Sequence, residues 1–193
     1  MRARVHPALW WLLGVAVVAT TLYLMRSKLA AGALALLQRF EGRERRAYKD
    51  SAGLWTIGVG HLIKADEMSK YVGTPVTLDG KPRGGIEITD DEIDRLAAQD
   101  YAIAAAAVKR QVTVPLTEDQ THALVSFVFN LGGGALGSST LLRKLNAGDY
   151  RGAAAEFLKW DKATDPATGA KVPVRGLTLR RAAEKTLFET GIA

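Results

Sequence analysis

The chain opens on an apolar run and then settles into shorter, amphipathic stretches. Ala8 to Met25 reads ALWWLLGVAVVATTLYLM without a charge, and Val5, His6 and Pro7 extend the uncharged run to 21 residues. A helix of that length reaches about 30 Å, the thickness of a bilayer's hydrocarbon core. Trp10 and Trp11 fall toward one end and Tyr23 toward the other, where amphipathic rings suit a membrane interface. The pattern predicts an N-terminal transmembrane helix within a signal anchor over residues 1–28, followed by a body at 29–193. Six of the 18 residues from Ala8 to Met25 are Ala, Gly or Thr, so the run is only modestly hydrophobic. Ala31-Gly32-Ala33 has the small-x-small form of a signal-peptidase site, but it lies beyond Arg26 and Lys28. An uncleaved anchor is the preferred reading.

The body begins with an alanine- and leucine-rich helical stretch, Leu29 to Phe40, ending near Gly42. Trp55 to His61 has strand character, as do Val76–Lys81 and Gly84–Ile88, with Asp79-Gly80 as a hairpin turn. Thereafter the period lengthens to that of helices. Thr89-Asp90-Asp91-Glu92 and Thr117-Glu118-Asp119-Gln120 read as capping boxes. Ser139 and Asp149 can cap the next two helices. Gly132-Gly133-Gly134 ends the central one. Asp161 to Gly176, with two prolines and two glycines, reads as a flexible connection before a closing helix over Leu177–Thr190. A small β-rich part and a larger helical part make an α+β fold.

Charge sharpens this division. Net charge is +6, yet five of the 26 basic residues precede the first acidic one, Glu41, leaving 21 basic against 20 acidic from Phe40 onward. A nearly neutral body argues against a nucleic-acid-binding surface. Arg2, Arg4 and the terminal amine before the run slightly outweigh Arg26 and Lys28 after it, favouring an internal N terminus and an exported body. From Arg143 onward basic residues outnumber acidic ones, 10 to 6, which suits an anionic polymer or a solvated face. The absence of cysteine excludes disulfides, thiol nucleophiles and Cys-ligated metals. Three histidines, His6, His61 and His122, with no paired spacing, leave no expected metal or organic cofactor.

Among the polar residues, Glu41, Asp50 and Thr56 form the densest constellation. Glu41 follows a long apolar helix, where the helix dipole and desolvation both favour a protonated carboxyl. Asp50 falls in a turn before a strand and can stay ionised. Two carboxyls in unlike environments suit glycosidic hydrolysis. Equally, Glu41 fits a charge cluster with Arg43, Glu44, Arg45 and Arg46, and Asp50 fits a turn cap.

The stretch FEGRERRAYKDSAGLWTIGVGHLI, Phe40 to Ile63, resembles the active-site segment of the T4-type phage lysozymes, the endolysins of glycoside hydrolase family 24. LTEDQTHALVSFVFNLG (Leu116–Gly132) resembles the family's central helix, and GLTLRRAAEKTLF (Gly176–Phe188) its closing helix. The resemblance implies a two-lobed lysozyme-like fold. It implies a muramidase that cuts the β-1,4 bond between N-acetylmuramic acid and N-acetylglucosamine in peptidoglycan, for host cell lysis. Glu41 would be the general acid, and Asp50 and Thr56 would hold the attacking water, giving inversion. His61 resembles a buried structural histidine with an ion-pair role. Tyr48, Trp55 and His122 read as packing residues.

The apolar N terminus resembles that of the signal-anchor-release endolysins of phage 21 type. That likeness implies passage through the host secretion machinery and residence in the host inner membrane through residues 8–25. The catalytic domain would lie in the periplasm, with later release, and a phage holin would be a functional partner. Three rival functions remain: a lytic transglycosylase, a non-catalytic peptidoglycan-binding module, and a structural virion component.

Overall fold

The computed structural model describes residues 40, 42–50, 53–74, 83–165 and 167–192. Three strands, β1 (Glu44–Lys49), β2 (Trp55–Gly58) and β3 (His61–Leu62), form an antiparallel sheet in that order. Tyr48 lies opposite Thr56, and Thr56 opposite Leu62. A bulge between Glu44 and Tyr48 shifts the register of β1. β2 and β3 turn tightly through Gly58 and Gly60, at φ +68° and +71°. Only glycine adopts that conformation without strain. A short helix, α1 (Met68–Tyr71), and a two-stranded ladder of β4 (Gly73–Thr74) with β5 (Arg83–Gly84) complete the small lobe.

Helix α2 (Asp90–Gln111) joins the two lobes. Its Ile93, Leu96 and Ala97 pack with Ile57, Val59, Ile63 and Tyr71 in the small lobe's core. Its Ala104, Ala107 and Val108 belong to the large lobe's core. Tyr101 and Phe129 pack against both. The large lobe continues through α3 (Glu118–Leu131), α4 (Gly133–Gly137), α5 (Thr140–Asn146), α6 (Tyr150–Glu156) and a 3₁₀ turn, Phe157–Trp160. It closes on α7 (Arg175–Thr190). Phe127 meets Phe157 and Trp160 edge-on at 5.6 and 5.3 Å, within the range where aromatic pairs attract.

Local chemistry starts these helices as expected. Thr117 and Gln120 form a complete capping box, and Ser139 and Asp149 accept from the Leu142 and Gly152 amides. Thr89 accepts from the Glu92 amide. The Glu92 carboxylate instead receives Arg95, Lys70 and Tyr71, which hold it far below the usual carboxylate range. That grip ties α1 to α2.

The structure differs from expectation in two places. Asp161–Gly176 is ordered into a hairpin, β6 (Lys162–Thr164) with β7 (Lys171–Pro173), its turn held by Asp165 accepting from the Ala167 amide. Gly84–Ile88 is not a strand beyond Gly84; Ile88 instead donates its amide to Arg45 O at 2.9 Å. The expected strand at Val76–Lys81 lies outside the described residues.

The expected transmembrane helix is also corrected. Among the described residues, no helix is long and apolar enough to cross a membrane. α2 has the length, but Asp90, Asp91, Glu92, Asp94, Arg95, Asp100, Lys109 and Arg110 divide it into polar and apolar faces. Residues 8–25 and the boundary at 28/29 lie outside the described residues. The described residues therefore form a two-lobed α+β body in which no helix spans a membrane. Attachment to the host inner membrane through residues 8–25 and an inner-membrane location are withdrawn. Dealings with the secretion machinery and a holin rested on that span and fall with it.

Candidate active site

The β1–β2 hairpin carries two of the three expected site residues. Asp50 stands one step beyond the last ladder pair, Lys49 with Trp55. Its amide donates to Leu54 O at 2.9 Å, and its Oδ1 accepts the Leu54 amide at 2.9 Å. Gly53, at φ +79°, donates back to Asp50 O. The half-buried carboxylate is thus fixed by the turn that it helps to build.

Thr56 lies one residue inside the hairpin's last pair and is 4% exposed. Side chains alternate along a strand. Ile57 and Trp55 pack on the small lobe's core, so Thr56 projects from the opposite face with its cross-strand partners Tyr48 and Leu62. Its hydroxyl donates to Leu54 O at 3.3 Å. Both Asp50 and Thr56 are therefore tied to Leu54 and meet a third molecule chiefly as acceptors.

Glu41 lies outside the described residues, although its neighbours do not. Phe40 is half-buried, with the Arg180 guanidinium 5.7 Å from its ring centroid. Gly42 takes φ +76°, a left-handed step just before β1. Arg180 in turn belongs to a buried network. Glu184 Oε1 accepts from Arg180, Arg181 and Ser126 at 3.1, 2.9 and 2.7 Å. Burial pushes the Glu184 carboxyl above its ordinary value, against the pull of the two guanidiniums. The Arg-Arg-x-x-Glu spacing was visible in the sequence, but its link to Phe40 spans more than 130 positions and was not.

His61 is 1% exposed and is bracketed by two carboxylates. Asp100 Oδ2 lies 2.7 Å from Nδ1, and Glu67 Oε2 lies 3.2 Å from Nε2. The hydrogen bond to Asp100 raises the imidazole above its ordinary value despite burial. Burial alone would raise Glu67, yet the Lys64 amide and His61 hold it below the usual range. The ion-pair role expected of His61 is met, and its partners come from α2 and the loop before α1. Trp55 packs on the small core and His122 is buried in α3. Among the described residues no group of His, Asp and Glu could hold a metal ion.

The chain is similar to known proteins over most of its length. The model for the family "Phage lysozyme" matches residues 38–184. An endolysin from Acyrthosiphon pisum secondary endosymbiont phage 1 is 41% identical over 157 residues, covering 81% of this chain and 94% of that one. A SAR-endolysin of Escherichia phage 933W is 36% identical over 140 residues, 68% of this chain and 71% of the other. Among solved structures, the muramidase domain of SpmX from Asticaccaulis excentricus superposes with a TM-score of 0.67. It is 34% identical and covers 81% of this chain and 94% of its own.

Proposed function

The chain belongs to the phage lysozyme family, and from that premise we propose that Glu41, Asp50 and Thr56 carry out its chemistry. The protein is a glycoside hydrolase, a muramidase that cleaves peptidoglycan and so lyses the host cell. Cleavage requires a proton on the leaving glycosidic oxygen and a nucleophile at the anomeric carbon. Glu41 supplies the proton as general acid.

Water supplies the nucleophile. A water that donates one hydrogen to the Asp50 carboxylate and the other to Thr56 Oγ1 keeps a lone pair directed at the sugar. Asp50 takes up the proton as the C–O bond forms. The observation that carries this reading is the tethering of both residues to Leu54. It orients both groups, the Asp50 carboxylate and the Thr56 hydroxyl, whose own proton goes to Leu54 O. The water attacks from the face opposite the leaving group, so the product is inverted. Sugar binding and charge stabilisation belong to the cleft between the lobes, and no cofactor takes part.

Glu41→Gln preserves size while removing the transferable proton. Folded Glu41→Gln protein should lose at least about 10²-fold in wall digestion, the lower end of what general acid catalysis contributes. Product anomers read by NMR test inversion. Near-native turnover would refute the acid assignment, an initial β-anomer would refute inversion, and a 1,6-anhydro product would move the chemistry to transglycosylation.

A further inference from the structure

Glu41 belongs to a short stretch of chain that is gripped on both sides. On one side, Phe40 lies against the Arg180 guanidinium, which Glu184 and the Ser126 carbonyl hold in the large lobe. On the other, beyond Gly42, the Arg43 guanidinium reaches the first turns of α2. Its Nη1 donates to Asp94 Oδ1 at 2.6 Å, and its Nη2 donates to the Asp90 main-chain carbonyl at 3.3 Å. Asp90 and Asp94 are four residues apart, so they stand on one face of the helix. The two arms of a planar guanidinium thus take hold of α2 at two points, which fixes direction as well as distance.

This grip is not needed to place β1. Arg43 precedes the strand's first residue, Glu44. β1 is already secured by its ladder with β2, by the Ile88 amide on Arg45 O, and by Arg45 on Asp90 Oδ2 at 2.6 Å. Nor is it a large source of stability, since Arg43, Asp90 and Asp94 are all exposed and such pairs contribute little. What Arg43 does fix is the chain between Glu41 and the sheet. Gly42 restrains that chain less than any other residue would, so the heading of Glu41 depends on the residue beyond it. A general acid has to come within about 2.6–3.2 Å of the oxygen it protonates. A misplacement of about 1 Å can cost about 10²-fold in rate. We infer that Arg43, through its fork onto Asp90 and Asp94, is a positioning residue for the general acid Glu41. The inference rests on the muramidase reading and deepens it.

The test measures new reducing ends released from purified wall glycan by the full chain, with kcat and KM determined separately. Arg43→Gln and Asp94→Ala break the same contact from opposite sides. Each should lower kcat about 10-fold and leave KM within about 2-fold of native. Each should lower Tm by no more than about 4 °C, because the pair is exposed. Arg46→Gln breaks a neighbouring exposed pair, Arg46 with Glu87 at 2.9 Å, and should leave kcat within about 2-fold of native. A loss there equal to that of Arg43→Gln would mean a general loosening of β1 and would overturn the inference. The decisive arm adds Arg43→Gln to Glu41→Gln. With no proton to deliver, misplacement costs nothing further, so the double variant should match Glu41→Gln alone. A further fall of about 10-fold would show that Arg43 acts independently of Glu41, and the inference would be wrong. Native kcat in both Arg43→Gln and Asp94→Ala would also overturn it. If Glu41→Gln alone keeps native turnover, the acid assignment itself fails, and this inference with it.

Discussion

Asp100→Asn offers a direct test of the buried imidazolium in the small lobe. The substitution keeps an acceptor near His61 Nδ1 but removes the charge 2.7 Å away. His61 is 1% exposed, so water cannot replace the lost partner. Breaking one side of a buried pair typically costs 3–5 kcal/mol. Asp100 is 21% exposed and Glu67 remains on Nε2, so the lower end, about 3 kcal/mol, is expected. For a chain of this size that corresponds to a fall in Tm of about 6–12 °C.

The pH dependence gives the sign. His61's folded pKa is raised above its ordinary 6.5. Its contribution is complete below that value and is lost as pH rises through the folded pKa. Glu67 works in the other direction: its folded pKa lies below 4.5, so its contribution is present above 4.5 and is lost as pH falls through the folded value. Native stability should therefore be highest between these limits. Thermal unfolding of native and Asp100→Asn protein from pH 4 to 9 should show the largest gap at pH 5–6, narrowing on the alkaline side. A gap of constant size across that range would refute a charged His61.

Other perturbations test other parts of the fold. Glu184→Gln leaves two buried guanidiniums facing a neutral group and should cost about 3–5 kcal/mol in urea unfolding. Phe157→Ala removes a fully buried ring that touches Phe127 and Phe188; it should cost about 3–5 kcal/mol by the same measurement, and a loss under about 1 kcal/mol would contradict that packing. Thr117→Ala deletes half of the capping box and should lower stability by about 1 kcal/mol.

The helical lobe was the most legible from sequence because its signals are local. Thr117, Ser139 and Asp149 each reach an amide three residues on, a distance that a sequence pattern records. β1 was opaque for the opposite reason. Glu44–Lys49 is rich in charge and has little strand propensity. It becomes a strand by pairing with β2, while Arg45 and Arg46 reach Asp90 and Glu87 some 40 positions away. The β6–β7 hairpin was hidden behind turn-forming residues, whose Asp165 hydrogen bonds close the very turn that they had suggested was loose. Asp50 and Thr56 are singled out by their motif, but their common tether to Leu54 is not visible in it. His61 was read as an ion-pair residue without partners, since Asp100 lies 39 positions away.

The division of α2 between two hydrophobic clusters bears on how the molecule opens. A helix normally exchanges its interior amides as one unit, yet the two ends of this one report on different cores. Exchange protection follows the cooperative unit that must unfold to expose an amide, and these units have unequal free energies. The amides around Ile93–Ala97 should exchange with the small lobe, and those around Ala104–Val108 with the large lobe and its aromatic centre. A step in protection near Tyr101, within one unbroken helix, would mark the boundary between two folding units of a single chain.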